Sequence, residues 1–332
     1  MAIRQPYLLF LGDAPDQLAA KTAAGVAHWR RNQCVGQLRL DGCKADLGLP
    51  DTTIEAAAAA GAKTLVIGVA NRGGRIGPAW QDTILAAIAA GMDIASGLHN
   101  KVADVPAIAE AAAKAGRQIF DVRHPSRDFE VATGERRPGK RLLTVGTDCS
   151  VGKMFTSLAF EAAMQARGMK ASFRATGQTG ILIVGEGVSV DAVIADFISG
   201  ATEWLSPAND PDHWDLVEGQ GSLFHPSFAG VSMGLLHGAQ PDAMVLCHEP
   251  ERPHMRGLPG RPLPDIADTI RFNEQCARIV NPDARVIGIA CNTSAMSREA
   301  ADALMDELSR AHGMPAVDPV RHGVDPIVDA MG

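Results

Sequence analysis

One stretch constrains this chain more than any other. The apolar run Leu142-Leu143-Thr144-Val145 leads into Gly146-Thr147-Asp148-Cys149-Ser150-Val151-Gly152-Lys153-Met154, and Phe155-Thr156-Ser157-Leu158-Ala159-Phe160 follows. A short apolar run stopped by glycine reads as a buried strand, and the segment after it as a helix. Strand, Gly-rich loop, Gly-Lys and helix is the layout of a phosphate-binding loop. Backbone N–H groups and the positive end of a helix face an anion there, and a lysine adds a point charge. Two departures from the NTPase pattern matter. Five residues, not four, separate the glycines, and Met154 stands where an NTPase holds Mg²⁺ with Ser or Thr. A thioether is a poor ligand for a hard cation. Residues 146–154 are therefore expected to hold the phosphates of a cofactor that is not consumed at its phosphates, with no metal.

The rest of the chain supplies the frame for this loop. Its 332 residues are too many for one average core and imply two domains. Apolar residues make up 46% and charged residues 21%, the balance of a soluble globular protein. Short β-type runs at 7–11, 34–40, 64–70, 93–98 and 118–122 alternate with helical runs at 53–60, 84–90 and 106–115. Gly61, Gly91 and Gly116 stand at helix ends, where a left-handed cap suits glycine. A second series of strands is expected at 142–146, 170–175, 215–218, 243–248 and 285–290. This βα rhythm predicts an α/β protein: a Rossmann-like parallel-sheet domain followed by a P-loop NTPase-like parallel-sheet domain. Residues 124–141 break the rhythm with Pro125, Gly134, Pro138 and Gly139 and with arginines at 127, 136, 137 and 141. They read as a linker, giving domains at 1–138 and 139–332. Residues 249–264 carry five prolines and three arginines, cannot be regular structure, and are expected to close over an anionic ligand.

A second signal is Asp215-Leu216-Val217-Glu218-Gly219-Gln220-Gly221-Ser222. Apolar residues run into an acid at a strand end, and glycines follow at once. Alone, such an acid is a solvated turn residue. With a phosphate loop upstream, Glu218 is a candidate to face the ligand, because strand ends line the crevice of a parallel sheet.

Taken together, these motifs resemble a family. GTDCSVGKM with VEGQG is similar to the dethiobiotin-synthetase branch of P-loop proteins. With Ala175-Thr176-Gly177-Gln178-Thr179-Gly180, Asp196-Phe197-Ile198-Ser199-Gly200-Ala201 and Glu218 to Pro226, the set resembles a two-domain P-loop family, long of unknown function, whose characterised members include a D-glutamate (D-amino-acid) N-acetyltransferase. The resemblance extends through Asn71-Arg72-Gly73-Gly74 in the N-terminal half. It implies acetyl transfer from acetyl-CoA to the amine of a D-amino acid, with acetyl-CoA as co-substrate and a loop that grips CoA phosphates without hydrolysing them. Glu218 or Asp148 is then the candidate general base, and Lys153 a candidate for steadying the thioester oxyanion. In dethiobiotin-synthetase-like proteins an asparagine at a similar strand end meets the adenine, which makes Asn292 a candidate cofactor contact.

The remaining candidates have both functional and ordinary readings. Arg174 suits a substrate carboxylate or a surface position, and Arg72 suits the crevice or a tight turn. Gln178, Ser222 and Arg252 are further candidate substrate contacts. His225 polarises a substrate group or simply bonds within its loop. Cys149, close to a helix N-terminus, is expected to have a lowered thiol pKa, and a covalent acetyl-cysteine is one option. His248 and His254, separated by prolines, do not form a metal-binding pair. An ATP/Mg²⁺-dependent enzyme with Glu218 on the metal and a nucleotide-gated regulator are the alternatives. The first strand runs into Gly12-Asp13-Ala14-Pro15-Asp16, which lacks the G-x-G-x-x-G fingerprint of a dinucleotide site. A net charge of −7 argues against nucleic acid as a partner. The N-terminus shows no signal-peptide pattern, no apolar run spans a membrane, and the six cysteines are scattered. A cytoplasmic homo-oligomer acting on a small amino acid is expected.

Overall fold

A computed structural model describes residues 3–69, 76–125 and 127–331, and the chain separates into two compact units. The first is built on residues Met1–Ser126 and the second starts at Arg127. In the first unit the elements run β1 (Tyr7–Gly12), α1 (Lys21–Trp29), β2 (Cys34–Arg39), α2 (Ile54–Ala59), β3 (Thr64–Ile67), α3 (Pro78–Ala89), β4 (Asp93–Ser96), α4 (Pro106–Ala115) and β5 (Ile119–Asp121). The five strands form one parallel sheet in the order β2-β1-β3-β4-β5. Every residue of β1 is buried, as a strand covered by helices on both faces requires. Burying side chains such as Leu8, Leu9, Phe10 and Leu11 stabilises the unit by about 1.5–3 kcal/mol each. Local chemistry sets the helix ends. Thr53 caps α2 through its side chain, Pro78 and Pro106 open α3 and α4, and Gly116 closes α4 at φ 63°.

The second unit runs β6 (Lys140–Gly146), α5 (Lys153–Ala166) and β7 (Ala171–Arg174). It resumes after an excursion with α7 (Ile198–Leu205), β8 (Trp214–Val217), α8 (Ala229–Ala239), β9 (Ala243–His248), α9 (Ile266–Ala277), β10 (Arg285–Cys291), α10 (Arg298–His312), β11 (Ala316–Val317) and α11 (Asp325–Asp329). Its six strands are also all parallel, in the order β11-β10-β9-β6-β8-β7. Both sheets and all ten expected strands are present. Among the described residues β11 adds an eleventh, two residues long and too short to leave a periodicity.

The excursion is α6 (Gln178–Val184). Residues Gly177–Ala192 belong to the first unit although the chain on either side belongs to the second. Ile3 N–H donates to the Gly185 carbonyl at 3.1 Å, and Arg123 pairs with Asp191 at 2.7 Å. The arginine-rich stretch after residue 126 is not a free linker. Arg141 is 2% exposed and donates to Ser206 Oγ at 3.0 Å, and Arg137 donates to the Gly238 carbonyl at 2.7 Å. Residues 249–264 form turns without helix or strand, pinned by buried Met255, whose N–H meets the Arg261 carbonyl at 2.8 Å. No helix among the described residues is long and apolar enough to cross a membrane.

Candidate functional site

The ends of β6, β8 and β9 converge because β6 lies between β8 and β9 in the sheet. The chain winds in opposite directions from such a strand, which opens a crevice at the carboxyl ends. The loop after β6 lies there. Ser150 takes a left-handed conformation at φ 56°, and Gly152 does so at φ 104° just before α5. No side chain caps α5. Among the described residues, no backbone carbonyl accepts from the N–H of Ser150, Val151 or Gly152. These donors and the end of the helix dipole make an anion cradle.

The loop is held from several sides. Lys153 is buried, and its Nζ donates to the carbonyls of Asp148 and Gly221 at 2.8 Å each. Burial pushes its pKa down, with Cys247, Cys149, Asp148 and Glu218 pulling the other way. Thr147 is fixed by its N–H to the Cys247 carbonyl at 3.1 Å, by its hydroxyl on His248 Nδ1 at 3.0 Å, and by Ser222 Oγ on its carbonyl at 3.2 Å. Ser222 thus supports the loop.

Glu218 is 5% exposed. Its Oε2 accepts from Thr176 N–H at 3.0 Å, and its carbonyl accepts from Thr176 Oγ at 2.6 Å. Gly219 presses on β6 so closely that a Cβ there would lie 1.6 Å from the Thr144 carbonyl oxygen. Its N–H donates to Thr144 Oγ1 at 2.9 Å. Asp148 is fully buried. Its Oδ2 accepts from Arg252 Nη1 and from Arg256 N–H, both at 2.7 Å, while Oδ1 has no hydrogen-bond partner. Burial pushes its pKa up, but the Arg252 guanidinium and the N–H groups of Arg256 and Cys149 outweigh it and hold the carboxyl below its usual range. Asp148 is therefore a weaker base than an acid without a guanidinium on it.

With this geometry in hand, comparison with known proteins is decisive. Residues 130–328 match the P-loop domain of unknown function DUF1611, and residues 38–125 match its Rossmann-like N-terminal domain. The chain belongs to the DUF1611 family. It is 56% identical over 329 residues to a curated D-glutamate N-acetyltransferase of Tritonibacter scottomollicae, and 52% identical over 328 residues to one of a Pseudoalteromonas species. Each alignment covers 99% of both chains. The crystal structure of a DUF1611 family protein from Anabaena variabilis superposes with a TM-score of 0.87 at 32% identity, covering 98% of this chain and 99% of that one.

Other candidates fall elsewhere. Arg72 lies outside the described residues. The Arg174 guanidinium does not wait for a substrate: its Nε donates to Asp215 Oδ1 at 2.8 Å, and Asp215 is a buried acid on the neighbouring strand. Gln178 packs in the first unit, its Cγ against Gly97. His225 is 1% exposed, and its Nδ1 accepts from Ser227 N–H at 3.2 Å, which leaves Nε2–H to donate to the Arg256 carbonyl at 3.0 Å. The Asn292 side-chain oxygen accepts from Ser294 N–H at 3.2 Å, and its own N–H holds the His248 carbonyl at 2.8 Å.

The Cys149 thiol pKa is raised, not lowered. Burial outweighs Lys153 and the two arginines, so the helix end does not make it a thiolate nucleophile. Ligand atoms of Asp148, Cys149 and His225 lie within 4.8 Å of one another. To hold a metal they would have to shed the Arg252 pair, a thiol proton and the Nε2 proton, so the donor set fits a cation poorly.

His248 is the site residue the sequence did not reveal. It orients Thr147 from a strand that starts about a hundred residues later, and only the sheet order brings the two together. Burial, aided by Arg252, lowers its pKa to about 4. An unfolded histidine titrates at about 6.5, so between there and about 4 the unfolded chain takes up the proton in preference to the folded one. The stabilising contribution is full above that window and is lost as pH falls through it, with a slope approaching about 1.4 kcal/mol per pH unit. Urea unfolding at about pH 7, 6 and 5 should show this loss in the wild type and a shallower one in His248→Gln. Equal slopes would contradict it.

Proposed function

We propose that this chain transfers the acetyl group of acetyl-CoA to the amine of D-glutamate. The reading is carried by 56% identity, over 99% of both chains, to a protein curated with that activity. The site supports it. An intact Gly-Lys cradle is followed by Met154, which suits phosphates gripped as anchors and left unhydrolysed. CoA offers a pyrophosphate and a 3′-phosphate for the N–H groups of Ser150 to Gly152 and for Lys153. Asn292 is the proposed neighbour of the adenine.

Glu218 is the proposed base. It takes a proton from the acceptor ammonium, and the freed amine lone pair forms a C–N bond to the thioester carbonyl carbon. The C–S bond then breaks, and the second proton lost by the nitrogen goes to the departing CoA thiolate, leaving the amide and the CoA thiol. We propose a cytoplasmic setting, consistent with six free cysteines, and a homo-oligomeric state that sedimentation can test.

Acetyl-CoA or CoA is expected to raise the melting temperature without added Mg²⁺, by the equivalent of about 2.7 kcal/mol at a hundred times Kd. D-glutamate with acetyl-CoA should release free CoA thiol, detected with a thiol reagent. A thermal shift with ATP–Mg²⁺ and none with CoA would move the protein to the ATP-dependent class.

A further inference from the structure

We infer that Arg252 is a positioning residue: it clamps the carbonyl side of the phosphate loop so that the N–H side stays open to a diphosphate. This rests on the reading of residues 146–154 as the acyl-donor phosphate site. It assigns Arg252 a role different from the substrate contact that the sequence suggested.

The guanidinium is nearly buried, with 13% of the side chain exposed. Nη1 donates to Asp148 Oδ2 at 2.7 Å and to the Cys149 carbonyl at 2.5 Å. Nη2 donates to the Ser150 carbonyl at 3.0 Å and to Glu249 Oε2. A guanidinium has five N–H donors, so four are committed to these partners. Little remains with which to swing over a ligand.

The partners explain the arrangement. Cys149 and Ser150 are consecutive residues of the loop, and Ser150 is the non-glycine residue held at φ 56°. In a nest the carbonyls point out and the N–H groups point in. Fixing two successive carbonyls from outside therefore fixes the inward donors and offsets some of the cost of the left-handed residue. The fork is held on its far side by Glu249, next to Pro250, and Pro253 follows Arg252. Asp148 joins the same clamp through Arg256 N–H, so residues 249–256 act as a strut behind the cradle. A lysine carries the charge but has no planar fork to span two carbonyls and a carboxylate.

The test is calorimetric titration of inorganic pyrophosphate and of CoA into wild type, Arg252→Ala, Arg252→Lys and Lys153→Ala. Both Arg252 variants should bind both anions roughly 10- to 100-fold more weakly, and millimolar guanidinium should restore part of the Arg252→Ala affinity. In turnover, KM for acetyl-CoA should rise while kcat and KM for D-glutamate change little. A role in general stability alone would not be rescued by guanidinium and would not separate the two KM values. Wild-type pyrophosphate affinity in either variant overturns the inference. If Arg252→Ala does not fold, Arg252→Lys decides. A wild type that binds pyrophosphate but not CoA overturns the acyl-donor reading and leaves the clamp standing, whereas one that binds neither overturns both.

Discussion

Glu218→Gln is expected to lower turnover by roughly 100- to 10,000-fold while leaving acetyl-CoA affinity within a few-fold of wild type. The substitution is nearly isosteric. The glutamine amide oxygen can still accept from Thr176 N–H, so the strand end and Gly219 keep their places. What is lost is the ability to take a proton. The alternative base, Asp148, has Arg252 and Arg256 N–H on the same oxygen, which holds its pKa below the usual range. An acid so stabilised as a carboxylate gains little by accepting a proton from an ammonium. Steady-state kinetics with both substrates varied, paired with CoA titration, checks the split. Unchanged turnover in Glu218→Gln would remove it from the mechanism and return Asp148 to first place.

Gly219→Ala is expected to be the most damaging single methyl in the second unit. Its Cβ would lie 1.6 Å from the Thr144 carbonyl oxygen and 3.0 Å from Lys153 Cδ. Neither the strand nor the buried lysine has a free direction in which to retreat. β6 is paired on both sides, and Lys153 is tied to two carbonyls. Overpacking of this kind costs on the order of 3 kcal/mol or more, and it falls on the strand end that carries Glu218. The variant should melt several degrees lower and lose acetyl-CoA binding. Gly230→Ala is the control, because nothing lies within 4 Å of a Cβ there and α8 is helical at that point. A wild-type melting curve and full binding for Gly219→Ala would contradict the packing argument.

Much of this architecture was legible in the chain because its signals are local. Buried strands such as 142–146 and 243–248 announce themselves as apolar runs, and Gly61, Gly91 and Gly116 take the positive φ that their place after a helix implies. The phosphate loop is local as well: nine consecutive residues contain both the turn and the lysine, so Met154 reads as a departure from the chain alone. A potential defined by neighbours in sequence can be inferred from sequence.

Strand order, burial and side-chain partners are not local, and the tertiary structure decided them. Placing β6 between β8 and β9 is what brings Glu218 and His248 to one loop. Packing, not composition, assigns α6 to the first unit, because an apolar helix carries no mark of the core it will join. The same limit applies to charge. Arg174 and Arg252 look alike in sequence, yet one neutralises a buried strand acid and the other braces loop carbonyls. Cys149, beside a helix N-terminus, is expected to ionise easily, and burial reverses that. Desolvation and long-range pairing depend on what the fold places within a few ångströms, so only the folded chain fixes the chemistry of groups whose motif the sequence already shows.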